Sequence, residues 1–248
     1  MADGQKDKRR TAKDGMRIVV TEDGPYEVSG SVPMSDQQMV PDADGLSVEW
    51  RQGKEYPVEE DYSLCRCGRS TNMPYCDQSH LDADWDGRET ASRVPFAART
   101  EPKTVGPQLE LSDVVELCAS ARFCDRAGGV WDLTRASDDP TSRALAIEEV
   151  GNCSAGRLVI ADKEGNVIEP VFEPSIGLVE DLAAGVKGPL WVRGGIPVEA
   201  ADGMVYEIRN RVTLCRCGKS DAKPSATAVT WSRTRTSRRA TVALLLVR

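Results

Sequence analysis

The sequence predicts an α+β fold in which two small β-rich units flank an α+β insert. Three observations lead there. A stretch beginning "GPYEVSGSVP" at Gly24 recurs as "GPLWVRGGIP" at Gly188, and each copy runs on to Cys-Arg-Cys-Gly, at Cys65 and at Cys215. The segments "YEVSGSV", "LSVEW", "LWVRGGI" and "MVYEIRNRVTL" alternate apolar and polar residues, which is the period of a half-buried strand. Between the copies the pattern changes to helical spacing. The chain therefore divides into a disordered tail over residues 1–15, a first unit over 16–95, an insert over 108–172, a second unit over 173–224 and a tail over 225–248.

Taken in order, "MADGQKDKRRTAKDGM" is charged and has no apolar stretch, so it reads as a solvated tail and not as a secretory signal. The first unit has 41 residues from Gly24 to Cys65 where the second has 27 from Gly188 to Cys215. The 14 additional residues are expected to form a loop around "SDQQMVPDADG". In the insert, "LSDVVELCASARFC" reads as a helix with Ser112 or Asp113 as N-cap. "VWDL" reads as a short strand. "PTSRALAIEEVGN" reads as a helix that opens on a proline and closes at Gly151. "RLVIADKEGNVIEPV" reads as a hairpin turning at Glu164-Gly165-Asn166.

The 248 residues are 40% hydrophobic and 29% charged, as expected of a packed chain. A net charge of −7 speaks against nucleic acid as a partner, and the terminal "VALLLV" is too short to span a membrane. A cytoplasmic location is expected, and with it a reducing environment in which the eight cysteines are metal ligands before they are disulfides. His80 is the only histidine. No phosphate-binding loop or nucleophile motif is present, so an enzyme is not expected.

The candidate centre is Cys65, Cys67, Cys76 and His80 in "CRCGRSTNMPYCDQSH". On a strand, Cys65 and Cys67 would face the same way, roughly 6.6 Å apart, with Gly68 turning the chain beyond them. On a helix, Cys76 and His80 would stack on one face, and Pro74 and Asp77 suit its start. The stretch resembles the CDGSH iron–sulfur domain of the NEET proteins in Cys65, Cys67, Ser70, Pro74, Cys76, Asp77, Ser79 and His80, with Gln78 where that family has glycine. If that position needs a positive φ, glutamine costs about 1–2 kcal/mol. The resemblance implies a [2Fe–2S] cluster with Cys65 and Cys67 on one iron and Cys76 and His80 on the other. It also implies electron transfer, cluster transfer or redox sensing with an unknown redox partner protein, and pairing of CDGSH units within one chain or in a homodimer. Imidazole in place of a thiolate removes negative charge and raises the potential. The alternative is a structural zinc module presenting a partner surface, since three cysteines and a histidine also suit zinc.

The second copy stops short. After Cys215, Cys217 and Pro224 it reads Ser225-Ala226-Thr227-Ala228-Val229-Thr230. One added T before those codons permits Phe-Cys-Asp-Gly-Gly-His, an agreement with a chance of roughly one in two thousand. The remaining tail, rich in Ser, Thr, Arg and Ala, is then an out-of-frame reading, and Cys215 and Cys217 are the remnant of a second site. In the insert, "LCASARFCDRAGGVWDL" and "GNCSAGRLV" resemble the divergent single-cluster ferredoxins. Cys118, Cys124 and Cys153 stand where that family has ligands, and Asp125 or an exogenous thiol is the candidate fourth. Residues six apart do not share a helix face, so Cys118 and Cys124 can share a metal only if the helix ends between them. Otherwise the three pack as small apolar side chains.

Overall fold

The computed structural model describes residue 12 and residues 15–228; residues 229–248 and nearly all of the charged N-terminal tail lie outside them. The first unit contributes β1 (Arg17–Val20), β2 (Tyr26–Ser29), β3 (Met34–Pro41), β4 (Ser47–Tyr56) and β5 (Asp61–Leu64). The insert contributes β6 (Thr104–Val105), β7 (Glu110–Asp113), α1 (Val130–Arg135), α2 (Pro140–Gly151), β8 (Leu158–Ala161) and β9 (Val167–Ile168). The second unit contributes β10 (Ser175–Asp181), β11 (Val186–Arg193), β12 (Val198–Glu199) and β13 (Arg211–Leu214). The fold is α+β and sheet-rich, with two related β units around a different middle.

The units exchange strands. β1, β2 and β5 form an antiparallel set in the first unit, and β10, β11 and β13 form its counterpart in the second. β12 of the second unit adds to the first sheet parallel to β1, and β3 of the first unit adds to the second sheet parallel to β10. Each sheet thus covers an open edge with a strand of the other, which leaves fewer unpaired backbone groups. The alternation then buries one face from both units in a common core, with Ile18, Val20, Tyr26 and Val28 against Ile176, Leu190, Val192 and Leu214.

The 14 additional residues do not form a loop. They build the β3–β4 hairpin, closed at Asp42, whose carboxylate accepts from the N–H groups of Asp44 and Leu46. The polar run "SDQQ" hid the strand, because Ser35 and Gln37 are buried and satisfy one another, Gln37 Nε2 donating to Ser35 Oγ at 3.0 Å.

The insert corrects two further expectations. Residues 110–113 are β7, paired with β8, followed by a 3-10 turn over Val115–Leu117. Leu109 and Leu111 alternate into the insert core, and the Asp113 carboxylate holds Arg157 through two bonds of 2.7 Å instead of capping a helix. "VWDL" opens α1, since Val130 and Leu133, three apart, face that same core. α2 is as expected, with Asp139 accepting from the Ser142 N–H at its N-cap and Pro140 at its first turn. In the second unit Met204–Asn210 is not a strand and makes only an isolated bridge from Val205 to Glu199, whereas Arg211–Leu214 pairs with β11.

Two of the contacts that dock the insert on the β units involve large side chains of the sheets. Trp50 of β4 stacks on Phe123 and Trp191, with centroids at 4.9 and 4.6 Å, and donates Nε1–H to the Asn152 carbonyl. Arg211 of β13 is fully buried, and its guanidinium donates to the carbonyls of Val150, Gly151, Cys153 and Leu158 and to Glu169.

Candidate metal centre

Arginine sets the position of both Cys-Arg-Cys turns. Arg66 is buried and donates to the carbonyls of Gly24, Thr21 and Gly87 at 2.7 to 2.8 Å. Arg216 does the same for the second copy, donating to Gly188 and Val179. The glycines that open the repeat are therefore the acceptors that hold its cysteines. Gly68 and Gly218, at φ +75° and +71°, turn the chain away and cross backbone to backbone. A Cβ on Gly68 would lie 2.6 Å from the Cys217 carbonyl oxygen, and one on Gly218 would lie 2.6 Å from that of Cys67.

The four candidate ligands of the first copy come as two pairs. Cys65 Sγ and Cys67 Sγ are 3.7 Å apart, and Cys76 Sγ and His80 Nδ1 are 3.6 Å apart. The sulfurs of the first pair lie beyond the end of β5, closer than a strand would hold them. The loop returns through Cys65 N–H to the Pro74 carbonyl and Cys76 N–H to the Ser63 carbonyl, with Ser70 Oγ donating to the Tyr75 carbonyl. Cys76 and His80 are not on a helix, as the four-residue spacing suggested. Gln78 has φ +68°, so the chain turns left-handed there and brings His80 back toward Cys76. Asp77 locks that turn by accepting from Ser79 and Thr71. Glutamine carries the strain that glycine avoids at this φ.

The pairs differ in exposure. Cys65 and Cys67 are buried, whereas Cys76 and His80 reach the surface in part. Burial pushes the Cys67 thiol up to about 11 and the Cys76 thiol up as well, with the Cys65 sulfur adding to both. Metal-free, these thiols keep their protons at neutral pH, so binding a metal releases protons and tightens as pH rises. His80 stands edge-on to Trp85 at 6.4 Å, and Trp85 packs over the Arg66 guanidinium at 4.8 Å. Sequence reasoning missed Arg66, Arg216 and Trp85. The recurrence of Arg between the two cysteines in both copies was the available signal for the arginines.

The distances fit a tetrahedral metal edge. Thiolate and imidazole bonds of about 2.3 and 2.05 Å place two sulfurs roughly 3.8 Å apart on one metal, and a sulfur and a nitrogen roughly 3.6 Å apart. Each pair could therefore bind one metal. Among the described residues no three His, Cys, Asp or Glu side chains gather around a single point as one ion would require.

The second copy reproduces half of this. Cys215 Sγ and Cys217 Sγ are 3.6 Å apart, Cys215 N–H bonds the Pro224 carbonyl, and Ser220 Oγ donates to the Ser225 carbonyl. Met73-Pro74 and Lys223-Pro224 are both cis. Ala226 lies buried in the place of Cys76, its N–H on the Thr213 carbonyl. Thr227 donates to Asp221, the reverse of the Thr71–Asp77 bond. Thr230 lies outside the described residues.

The regions 23–81 and 187–225 match the family model of the iron-binding zinc finger of CDGSH type, and residues 104–163 match that of the divergent 4Fe-4S mono-cluster. Two CDGSH-type regions flank a divergent mono-cluster segment. No curated protein and no solved structure matches the chain.

In the mono-cluster segment, no helix joins Cys118 to Cys124. A 3-10 turn ends at Leu117, and Ser120 and Arg122 adopt left-handed φ of 53° and 59°. Cys118, Cys124 and Cys153 consequently line one cavity of about 240 Å³, together with Asp125 and Arg157. Asp125 Oδ1 is 3.7 Å from Cys124 Sγ. Arg211 of the second CDGSH-type region holds the Cys153 carbonyl from outside. None of the helices among the described residues is long and apolar enough to cross a membrane.

Proposed function

We propose that this iron–sulfur protein holds a [2Fe–2S] cluster at Cys65, Cys67, Cys76 and His80 and serves electron transfer, cluster transfer or redox sensing in the cytoplasm, without turning over a substrate. The observation that carries this reading is the arrangement of the donors as two pairs at metal-edge spacing, 3.7 and 3.6 Å. A structural zinc ion would require all four around one point. When bound, such a cluster accepts and returns one electron. The protein's part is to bury one pair through Arg66 and leave the other near solvent. With Nδ1 of His80 turned to Cys76, Nε2 points away and can take up a proton as negative charge arrives. The expected result is a midpoint potential that falls by about 59 mV per pH unit over the coupled range, the one-electron value. The His80→Cys variant should lower the potential and flatten the slope. A wild-type potential independent of pH from about 6 to 9 would remove His80 from proton coupling.

The cavity ringed by Cys118, Cys124 and Cys153 favours a second centre, a four-iron cluster with Asp125 as the candidate fourth donor. Replacing all three cysteines with serine should remove about four irons per chain and leave the spectrum of the first site in place. Unchanged iron in that variant would mean that the three cysteines only pack.

A further inference from the structure

Cys215 and Cys217 keep the geometry of a metal-binding pair without its completion. Their sulfurs are 3.6 Å apart. The place of Cys76 is taken by buried Ala226, and residue 230 is a threonine. Cys215 is fully buried, while Cys217 is partly accessible and opens onto a cavity of about 110 Å³ lined by Lys187, Arg216, Lys219 and Met73. Cys217 is thus the sulfur that an incoming molecule meets first, and Cys215 lies directly behind it within reach for closure.

We propose that Cys215 and Cys217 form a redox-active dithiol that closes to a disulfide on reaction with a small-molecule disulfide of the glutathione type. The disulfide enters the cationic cavity and meets Cys217. The Cys217 sulfur attacks it, a mixed disulfide forms, and one small thiol leaves with the Cys217 proton. Cys215 then displaces the second small thiol, and the Cys215–Cys217 bond closes. The two cysteines lose two electrons and two protons, and the small disulfide is reduced to two thiols. Closure draws the sulfurs from 3.6 Å to about 2.05 Å and so moves the Cys217–Gly218 turn. That turn lies directly on the Cys67–Gly68 turn of the complete site, each glycine leaving no room for a Cβ beside the other chain. Oxidation of the dithiol is therefore felt at the buried cysteine pair of the first centre. The inference rests on the reading that only the first copy has all four cluster donors.

The test equilibrates the full, anaerobically purified chain with mixtures of glutathione and its disulfide, quenches in acid, alkylates, and maps residues 215 and 217 by peptide mass. The expected result is joint oxidation in one two-electron step, with no glutathione adduct at the end point and a shift in the visible spectrum of the first centre. Cys215→Ser should trap glutathione on Cys217, and Cys217→Ser should leave Cys215 unmodified, so either variant reads the order of attack if the other fails to fold. A stable glutathione adduct in the wild type would overturn the proposal, as would two thiols that stay alkylatable throughout. A stoichiometric metal ion retained by the pair would overturn it too. Because these readouts count thiols, they separate failure here from absence of iron at Cys65–His80.

Discussion

Inserting one base pair directly after the Pro224 codon should add two irons to each chain. With T as the added base, the corrected frame permits Phe-Cys-Asp-Gly-Gly-His from residue 225. The frame that would receive these residues is in place up to Pro224: the 3.6 Å cysteine pair, the Cys215-to-Pro224 backbone bond and the Ser220 bond to the carbonyl of residue 225. Residue 226 already sits where Cys76 sits in the first copy, with its N–H on the Thr213 carbonyl as that of Cys76 is on Ser63. Resistance to unfolding should rise with the added iron, because a metal bound only by the native state stabilises it by mass action. One local conflict is foreseeable. The corrected frame places aspartate at 227, facing Asp221, where Thr227 now donates to it. A second arm avoids this by keeping Thr227 and combining Ala226→Cys, Ala228→Gly and Thr230→His. Gain of two irons in either arm supports the lost-nucleotide reading of a second site. If neither arm gains iron, the second copy lost its cluster for another reason and the codon agreement is coincidence.

Arg211→Met should cost about 3–5 kcal/mol, the range for breaking a buried ion pair at one partner, and lower the melting temperature by roughly 10 °C for a chain of this length. Arg211 is fully buried, and the change strands the carboxylate of Glu169 and removes the donors to four carbonyls, at the end of α2, in the Cys153 loop and at the start of β8. The loss should fall on the mono-cluster segment. Proteolysis should become easier between residues 150 and 170, while iron at the first site stays. A melting temperature within about 1 °C of wild type, read by calorimetry, would show that the docking of the insert rests elsewhere, for example on Trp50.

Much of this was legible in the sequence, for identifiable reasons. The repeat and its alternation gave β2, β4 and β11, because apolar residues at every second position have one strong structural meaning. α2 was readable from Pro140 and Gly151, a start and a stop. The β3 strand was hidden because "SDQQ" looks like a loop until a neighbouring strand makes its polar side chains partners of one another. The exchange of β3 and β12 between sheets is a long-range pairing that no local pattern encodes. At the first centre the four residues were identifiable by type and spacing, but not how the chain joins them. Four-residue spacing suggested a helix, whereas the left-handed turn at Gln78, foreseeable only from its place in the motif, joins Cys76 to His80. Cys118 and Cys124 followed the same logic in reverse: a regular helix would have parted them, and two left-handed residues between them let both face one cavity.

The measurement closest to the central claim is iron, zinc and acid-labile sulfide per chain, with a visible spectrum, on the anaerobically purified Cys118→Ser, Cys124→Ser, Cys153→Ser variant, in which only the first centre is complete. The account predicts about two irons and two sulfides per chain, a coloured protein, and loss of both on Cys76→Ser. One zinc per chain, no sulfide and no visible absorbance would contradict it and return the four residues to a structural zinc site.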